Sequence, residues 1–223
     1  MAQDVLNCMQ AGFRSFEVHV GTGIAADVAR VRAIREAAGN EITVIVDVNG
    51  HWTVKEAIHA IRALQEFDVM VEQPVKGLEA MAEVRAAVEA PIVADESCHT
   101  VEDTVEIIRR KAADVLCVKP IKAGGLTKAR RICNLADAFG LKVRIDGLPG
   151  ETLVSNTASA HLTVTLRNTV ADGVMQHWRL AEDVVESGGL IFEDAKVRVT
   201  DDPGLGLSER SGVAQVVETF TAD

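Results

Sequence analysis

The chain has 223 residues, 48% of them apolar and 25% charged, which excludes disorder or a fibrous repeat as a description of the whole. That length suffices for one sizeable core but falls short of the roughly 250 residues of a usual (β/α)₈ barrel. Lys and Arg number 23 against 33 Asp and Glu, a net charge of −10, and with no basic patch to override it such a surface excludes a nucleic-acid partner.

In chain order, a helical stretch over about 2–9 comes first, with no strand ahead of it. Apolar, β-branched runs then follow at 15–20, 42–48, 69–72, 92–94, 115–118, 142–145 and 174–177. Helical patterns fill the gaps at 24–38, 53–67, 78–88, 101–111, 126–139 and 155–167. Val28, Val31 and Ile34 share one stripe of the first, and Thr53 and Glu56 form a Thr-x-x-Glu capping box ahead of Ile58, Ile61 and Leu64. Strands alternating with helices predict a parallel sheet with crossover helices. The fold class is therefore α/β, a (β/α) barrel of the TIM type entered just after its first strand and so incomplete at its N-terminus. From about 180 the rhythm stops, at Gly188-Gly189 and the turn-rich Asp201-Asp202-Pro203-Gly204. This divides the chain into a barrel domain, 1–180, and a C-terminal extension, 181–223.

Four cysteines, Cys8, Cys98, Cys117 and Cys133, lie far apart without a CxxC pair, as reduced thiols of a cytoplasmic protein do. No window approaches the ~20 apolar residues of a membrane span, and no basic-then-apolar leader opens the sequence.

In a parallel barrel the functional groups gather at the carboxyl ends of the strands. Here the second, third and fourth runs end on Asp47, Glu72 and Asp95. Three carboxylates on neighbouring staves would meet within a few ångströms, and a hard dication such as Mg²⁺ is the natural counter-ion for oxygen ligands alone. Each of the three could instead simply cap the helix that follows. The fifth run ends on Lys119, which period-two alternation turns to the same face as Val115 and Cys117. Beside a dication its pKa would fall, making the amine a general base for proton abstraction. Lys122 reads as a solvated loop charge, and Gly124-Gly125 as a tight turn more than a phosphate cradle. Asp146 and Glu151 fall where the sixth strand meets its loop and either contact substrate or cap that loop. His51 and His99 are close enough to reach the rim, His177 closes the last run, and His59 and His161 fall within helices.

Val-Asp47-Val-Asn49-Gly, Val-Glu72-Gln-Pro, Ala-Asp95-Glu96-Ser97 and Val-Lys119-Pro-Ile-Lys-Ala-Gly-Gly-Leu, in this order, resemble the barrel domain of the enolase superfamily, in its muconate lactonizing enzyme and mandelate racemase branch. The likeness covers about residues 10–210 and includes Asp-Asp-Pro-Gly-Leu-Gly near the end. It implies that Asp47, Glu72 and Asp95 bind Mg²⁺, that Lys119 is an acid/base on one face of the substrate, and that Asn49 and Glu96 support them. The implied reaction removes the proton α to a carboxylate to give an enediolate. The expected function is a Mg²⁺-dependent isomerase (racemase, epimerase or cycloisomerase) of a small carboxylate. A lyase that dehydrates a hydroxy acid or hydroxy amino acid, or a degenerate barrel serving as a structural module, are the alternatives.

The chain departs from that family in two places. Where the family has Lys-x-Lys, this sequence has Glu17-Val18-His19. His19 either replaces the second acid/base, since imidazole titrates near neutral pH, or pairs with Glu17 as inert filling. The family's N-terminal capping domain and first barrel strand also have no counterpart, so exposed barrel edges call for a missing N-terminal segment or a homo-oligomeric partner.

Overall fold

The computed structural model describes residues 2–171, 173 and 180–212. Helix α1 (Ala2–Gln10) leads into β1 (Ser15–His19), followed by α2 (Ile24–Ala38), β2 (Thr43–Asp47), α3 (Val54–Leu64), β3 (Val69–Glu72), α4 (Leu78–Ala87) and β4 (Ile92–Ala94). Then come α5 (Val101–Arg110), β5 (Val115–Val118), α6 (Pro120–Ala123), α7 (Leu126–Ala138), β6 (Lys142–Ile145) and α8 (Leu153–Thr163). Strands β1 to β6 form one parallel sheet in sequence order. Helices connect consecutive staves, the handed crossover that parallel pairing requires.

The capping box is present: Glu56 N–H donates to Thr53 Oγ1, and Thr53 N–H donates to the Glu56 carboxylate at 2.9 Å. The helix that it opens ends sooner than its pattern predicts, at Leu64, because the chain tightens into a 3-10 turn over Gln65–Phe67 before Asp68 adopts φ 50°. The final helix is likewise shorter than 155–167, and starts two residues earlier. Helix α6 has no counterpart in the sequence pattern. It is a single turn opened by Pro120 at its first position and closed by Gly124 at φ 81°, which bears out the tight-turn reading of the glycine pair.

Two apolar layers flank the sheet. The larger packs the outward strand faces, Val44, Val46, Val71, Ile92, Leu116 and Val143 among them, against buried helix residues such as Val31, Ile34, Ile61, Met81, Ile107 and Ile132. Each fully buried aliphatic side chain of this kind contributes about 1.5–3 kcal/mol. The smaller layer, Val93, Val115 and Cys117 with Met70 and Val170 against it, fills the inside of the curl. Above that inner plug, alternation carries the polar residues of the same strand faces to the carboxyl-terminal mouth.

The sheet continues past β6 through a parallel bridge between Val143 and Thr169, and Gly173 N–H donates to Ile145 O at 2.7 Å. A seventh stave thus begins to pair near Asn168. The strand expected at 174–177, with His177, lies outside the described residues. After residue 180, β7 (Val185–Gly188) pairs with β10 (Leu207–Glu209), and β8 (Leu190–Glu193) with β9 (Lys196–Val199), as two small antiparallel ribbons. No helix among the described residues is long and apolar enough to cross a membrane.

Candidate active site

A cavity of about 710 Å³ opens at the carboxyl-terminal mouth of the sheet, with Glu17, His19, Asp47, Asn49, Asp95, Glu96, Lys119, Lys122, Arg144 and Asp146 on its wall. Register explains the convergence: His19 of β1 pairs with Asp47 of β2, and Asp47 with Glu72 of β3. Each strand therefore ends its inward-facing set on a polar residue at about the same height.

The three sequence-predicted acids do not form a single cluster. One oxygen each of Glu72 and Asp95 lies with Cys117 Sγ in a group whose atoms are within 4.8 Å of one another, while Asp47 groups in the same way with Glu17 and His19. Basic side chains divide them. Arg144, 3% exposed, places Nη1 3.0 Å from Glu72 Oε2 and 3.0 Å from Asp146 Oδ2, and its Nη2 pairs with Glu17 Oε2. Lys119 Nζ sits 2.7 Å from Asp95 Oδ2 and 3.7 Å from Asp146 Oδ2.

Lys122 is not a solvated loop charge. Its ammonium donates to Asp95 O at 2.5 Å, to Cys117 O at 3.2 Å and to Asp95 Oδ1. The single turn of α6 brings it back beside Lys119, three residues earlier, so the two lysines clamp one carboxylate. Arg144 was likewise not singled out from the sequence. Its position two residues before Asp146 on a strand was the available signal, because period two puts both on the inner face.

Asp47 is oriented by Asn49, whose N–H donates to Oδ1 at 2.9 Å and whose Nδ2 donates to Oδ2 at 2.8 Å. The same Nδ2 reaches Glu96 Oε1 at 3.2 Å. Asn49 adopts φ 48°, and Gln73, just beyond Glu72, φ 38°. Such left-handed non-glycine backbone is concentrated at sites where the surroundings over-determine it. Gln73 earns its conformation by accepting from Asp95 N–H at 3.1 Å and Ser97 N–H at 3.2 Å, which fixes the loop that presents Asp95. Glu151, in contrast, is not on the cavity wall. Leu148 N–H and Ser155 Oγ donate to its two oxygens at 2.7 and 2.5 Å, so it caps the loop that leads into α8. His99 lines the cavity, His51 turns Nδ1 to Val48 O at 2.7 Å, His59 is exposed on α3, and His161 is half-buried on α8.

Burial raises the Asp47 carboxyl above its ordinary range. Glu72 is pushed up to about 8, because burial outweighs the pull of Arg144 and Asp95 adds repulsion. Asp95 goes the other way: burial opposes its charge, but Lys122 and Lys119 together hold it below the usual carboxylate range. The lowering expected for Lys119 belongs to a site that holds a dication; the protein's own groups alone shift it upward. Burial works against the ammonium, yet Cys117, Asp95 and Asp146 outweigh it and raise the pKa above that of an ordinary lysine.

The donor chemistry suits a hard dication. Glu17, Asp47, Glu72, Asp95, Glu96 and Asp146 are six acids facing the three permanent cations Lys119, Lys122 and Arg144, and two of the buried acids have pKa values raised chiefly by burial. Oxygen ligands with an excess of negative charge are what Mg²⁺ binds.

A curled parallel sheet that collects its charged residues at the strand carboxyl ends defines a (β/α) barrel of the kind whose chemistry is built at that face. The chain belongs to the enolase C-terminal domain-like family, whose model matches residues 1–211. It is similar to the hydrophobic dipeptide epimerase of Enterococcus faecalis, 36% identical over 211 residues, which are 93% of this chain and 60% of that protein. The L-Ala-D/L-Glu epimerase of Bacillus subtilis is 33% identical over 213 residues, 93% of this chain and 58% of that one. A crystal structure of the dipeptide epimerase from Enterococcus faecalis V583, complexed with Mg and the dipeptide L-Leu-L-Tyr, matches with a TM-score of 0.86 at 36% identity, covering 93% of this chain and 60% of that chain. The chain thus spans about three fifths of the length of these relatives.

Proposed function

We propose that this chain carries the catalytic barrel of a Mg²⁺-dependent racemase or epimerase that transfers the proton α to a carboxylate, in a cytoplasmic protein. The observation that carries this reading is Lys119, held 2.7 Å from Asp95 at the end of β5 and facing the same cavity as Glu17 and His19 of β1. In the strand order, β1 and β5 are separated by β2, β3 and β4, so the two stations flank a substrate seated over the acids. The relatives named as dipeptide epimerases, and the one complexed with Mg and a dipeptide, support a dipeptide or similar amino-acid derivative as substrate.

Asp47, Glu72 and Asp95 would hold the cation, with Asn49 fixing Asp47 and Glu96 accepting from Asn49. Mg²⁺ bound there supplies positive charge beside the substrate carboxylate as negative charge develops on it. Asp95 and Asp146 favour the charged form of Lys119, so Lys119 starts as the proton donor. His19 then starts as the acceptor on the other face, with Glu17 Oε1 3.5 Å from its Nε2. In the reverse direction the two exchange roles.

The test is incubation with Mg²⁺ and a panel of L,L-dipeptides in D₂O, followed by proton NMR. Loss of one α-proton signal together with signals of the other diastereomer is expected, and Lys119→Ala should abolish formation of the other diastereomer. A wild-type protein that binds Mg²⁺ but exchanges no α-proton in any dipeptide overturns the proposal, and loss of water to a keto product would make it a lyase.

A further inference from the structure

We infer that Glu17, His19 and Asp47 form a second cation site, one that takes a borderline dication of the Zn²⁺ class. One nitrogen of His19 and one oxygen from each acid lie within 4.8 Å of one another. His19 Nδ1 is 3.4 Å from Asp47 Oδ2, and His19 Nε2 is 3.5 Å from Glu17 Oε1. An imidazole gives one ion one nitrogen, and ligands at about 2.0–2.1 Å from a tetrahedral ion stand roughly 3.3–3.4 Å apart, so closing on Zn²⁺ requires the exposed His19 ring to turn and present a single nitrogen to both carboxylates.

The two acids are already held as ligands are held. Asn49 donates to both oxygens of Asp47, and Arg144 engages Oε2 of Glu17 while Oε1 faces the imidazole. Such outer partners fix the orientation of metal-binding side chains. His19 ends β1, at the edge of the described sheet, with its side chain 69% exposed, so a fourth position is open to the cavity.

The donor types set the preference. Mg²⁺ is best served by oxygen alone, whereas imidazole with carboxylate suits Zn²⁺ and its neighbours. Asp47 belongs to both donor sets, so the two ions compete for it. Occupation by Zn²⁺ also withdraws His19 from proton transfer, an inhibitory consequence that rests on the function proposed above; the binding itself does not.

The test uses isothermal titration of Zn²⁺, with Co²⁺ absorption as a second readout, into the full chain carrying Cys8→Ser to remove the one exposed thiol. One Zn²⁺ per chain is expected, and His19→Gln and Glu17→Gln should each weaken it by at least about tenfold. Mg²⁺ titrated separately should bind His19→Gln and its parent alike. Equal Zn²⁺ affinity in the parent and His19→Gln, or a Co²⁺ spectrum that His19→Gln leaves unchanged, overturns the site. Zn²⁺ bound through His19 by a chain that never binds Mg²⁺ would sustain this site while removing the function proposed above.

Discussion

Arg144 and Glu72, 72 positions apart in sequence, form an ion pair at 3.0 Å inside the barrel, with side chains 4% and 1% exposed. The same guanidinium serves Asp146 and Glu17, so one cation is shared among three acids that β1, β3 and the end of β6 turn inward. Removing one partner of a buried pair strands the charges that remain, at a cost of about 3–5 kcal/mol. Arg144→Met should therefore lower stability by about that amount in urea denaturation. Arg144→Lys should recover little, since a single ammonium cannot reproduce the planar fork. An Arg144→Met protein within about 1 kcal/mol of the parent would show that the network is dispensable.

The Glu72 carboxyl gives a pH dependence of definite sign. Its pKa rises from 4.5 to about 8 on folding, through burial, so over that interval the folded chain holds a proton that the unfolded chain has released. Folding stability from this group is therefore full below about 4.5, falls as pH rises, and levels above about 8. Glu72→Gln keeps the neutral shape at every pH. Its stability relative to the parent should grow between pH 5 and pH 8, as followed by urea midpoints. A difference that does not vary with pH would show that Glu72 stays ionised in the folded chain.

The sheet was legible in the sequence because its staves are continuous apolar runs, as strands covered on both faces must be. The helices between them carry a 3.6-residue stripe, and Thr53 with Glu56 marks a start that the structure reproduces. Asp47, Asp95 and Lys119 stood out because each breaks an apolar run where a strand ends. Lys122 did not, since a four-residue helix lies below the length at which periodicity can be seen. Its relation to Lys119 follows from an i, i+3 spacing that only matters once that turn exists. Arg144 was hidden for another reason: alternation gives its face, but not that three acids from other strands meet it there. The division of the acids between Lys119, Lys122 and Arg144 depends on side-chain reach, which strand-end positions do not encode.

The two-lysine clamp on Asp95 is separable by mutation. Lys122, with its side chain 13% exposed, donates to both the backbone carbonyl and the carboxylate of Asp95. Hydrogen bonds to charged groups contribute about 1.5–3 kcal/mol, and Lys122→Met should cost about that in thermal or urea denaturation while leaving the Lys119 contact in place. Because Lys122 is also the largest influence lowering the Asp95 pKa after burial opposes it, the variant should lose less stability on acidification than the parent does, so that its deficit narrows as pH falls. The sign follows from the depressed folded-state pKa: its stabilisation is present at neutral pH and disappears as acid protonates Asp95. Identical acid transitions in the two proteins would assign the depression to Lys119 alone.

Asp146 offers a test of Lys119 that leaves the lysine intact. The carboxylate lies 3.7 Å from Lys119 Nζ and helps hold the ammonium charged. Asp146→Asn removes that attraction without removing the side chain's bulk, so the Lys119 pKa should fall toward the ordinary range. In the direction where Lys119 must accept a proton, kcat/KM rises with pH up to that pKa, and the rising limb should move to lower pH. In the direction where Lys119 donates, the falling limb should move to lower pH as well, because the amine loses its proton sooner. Both shifts are read from the pH dependence of α-proton exchange measured from each epimer. If neither limb moves while the variant remains folded, another group controls the proton transfer and Lys119 is only the counter-ion of Asp95.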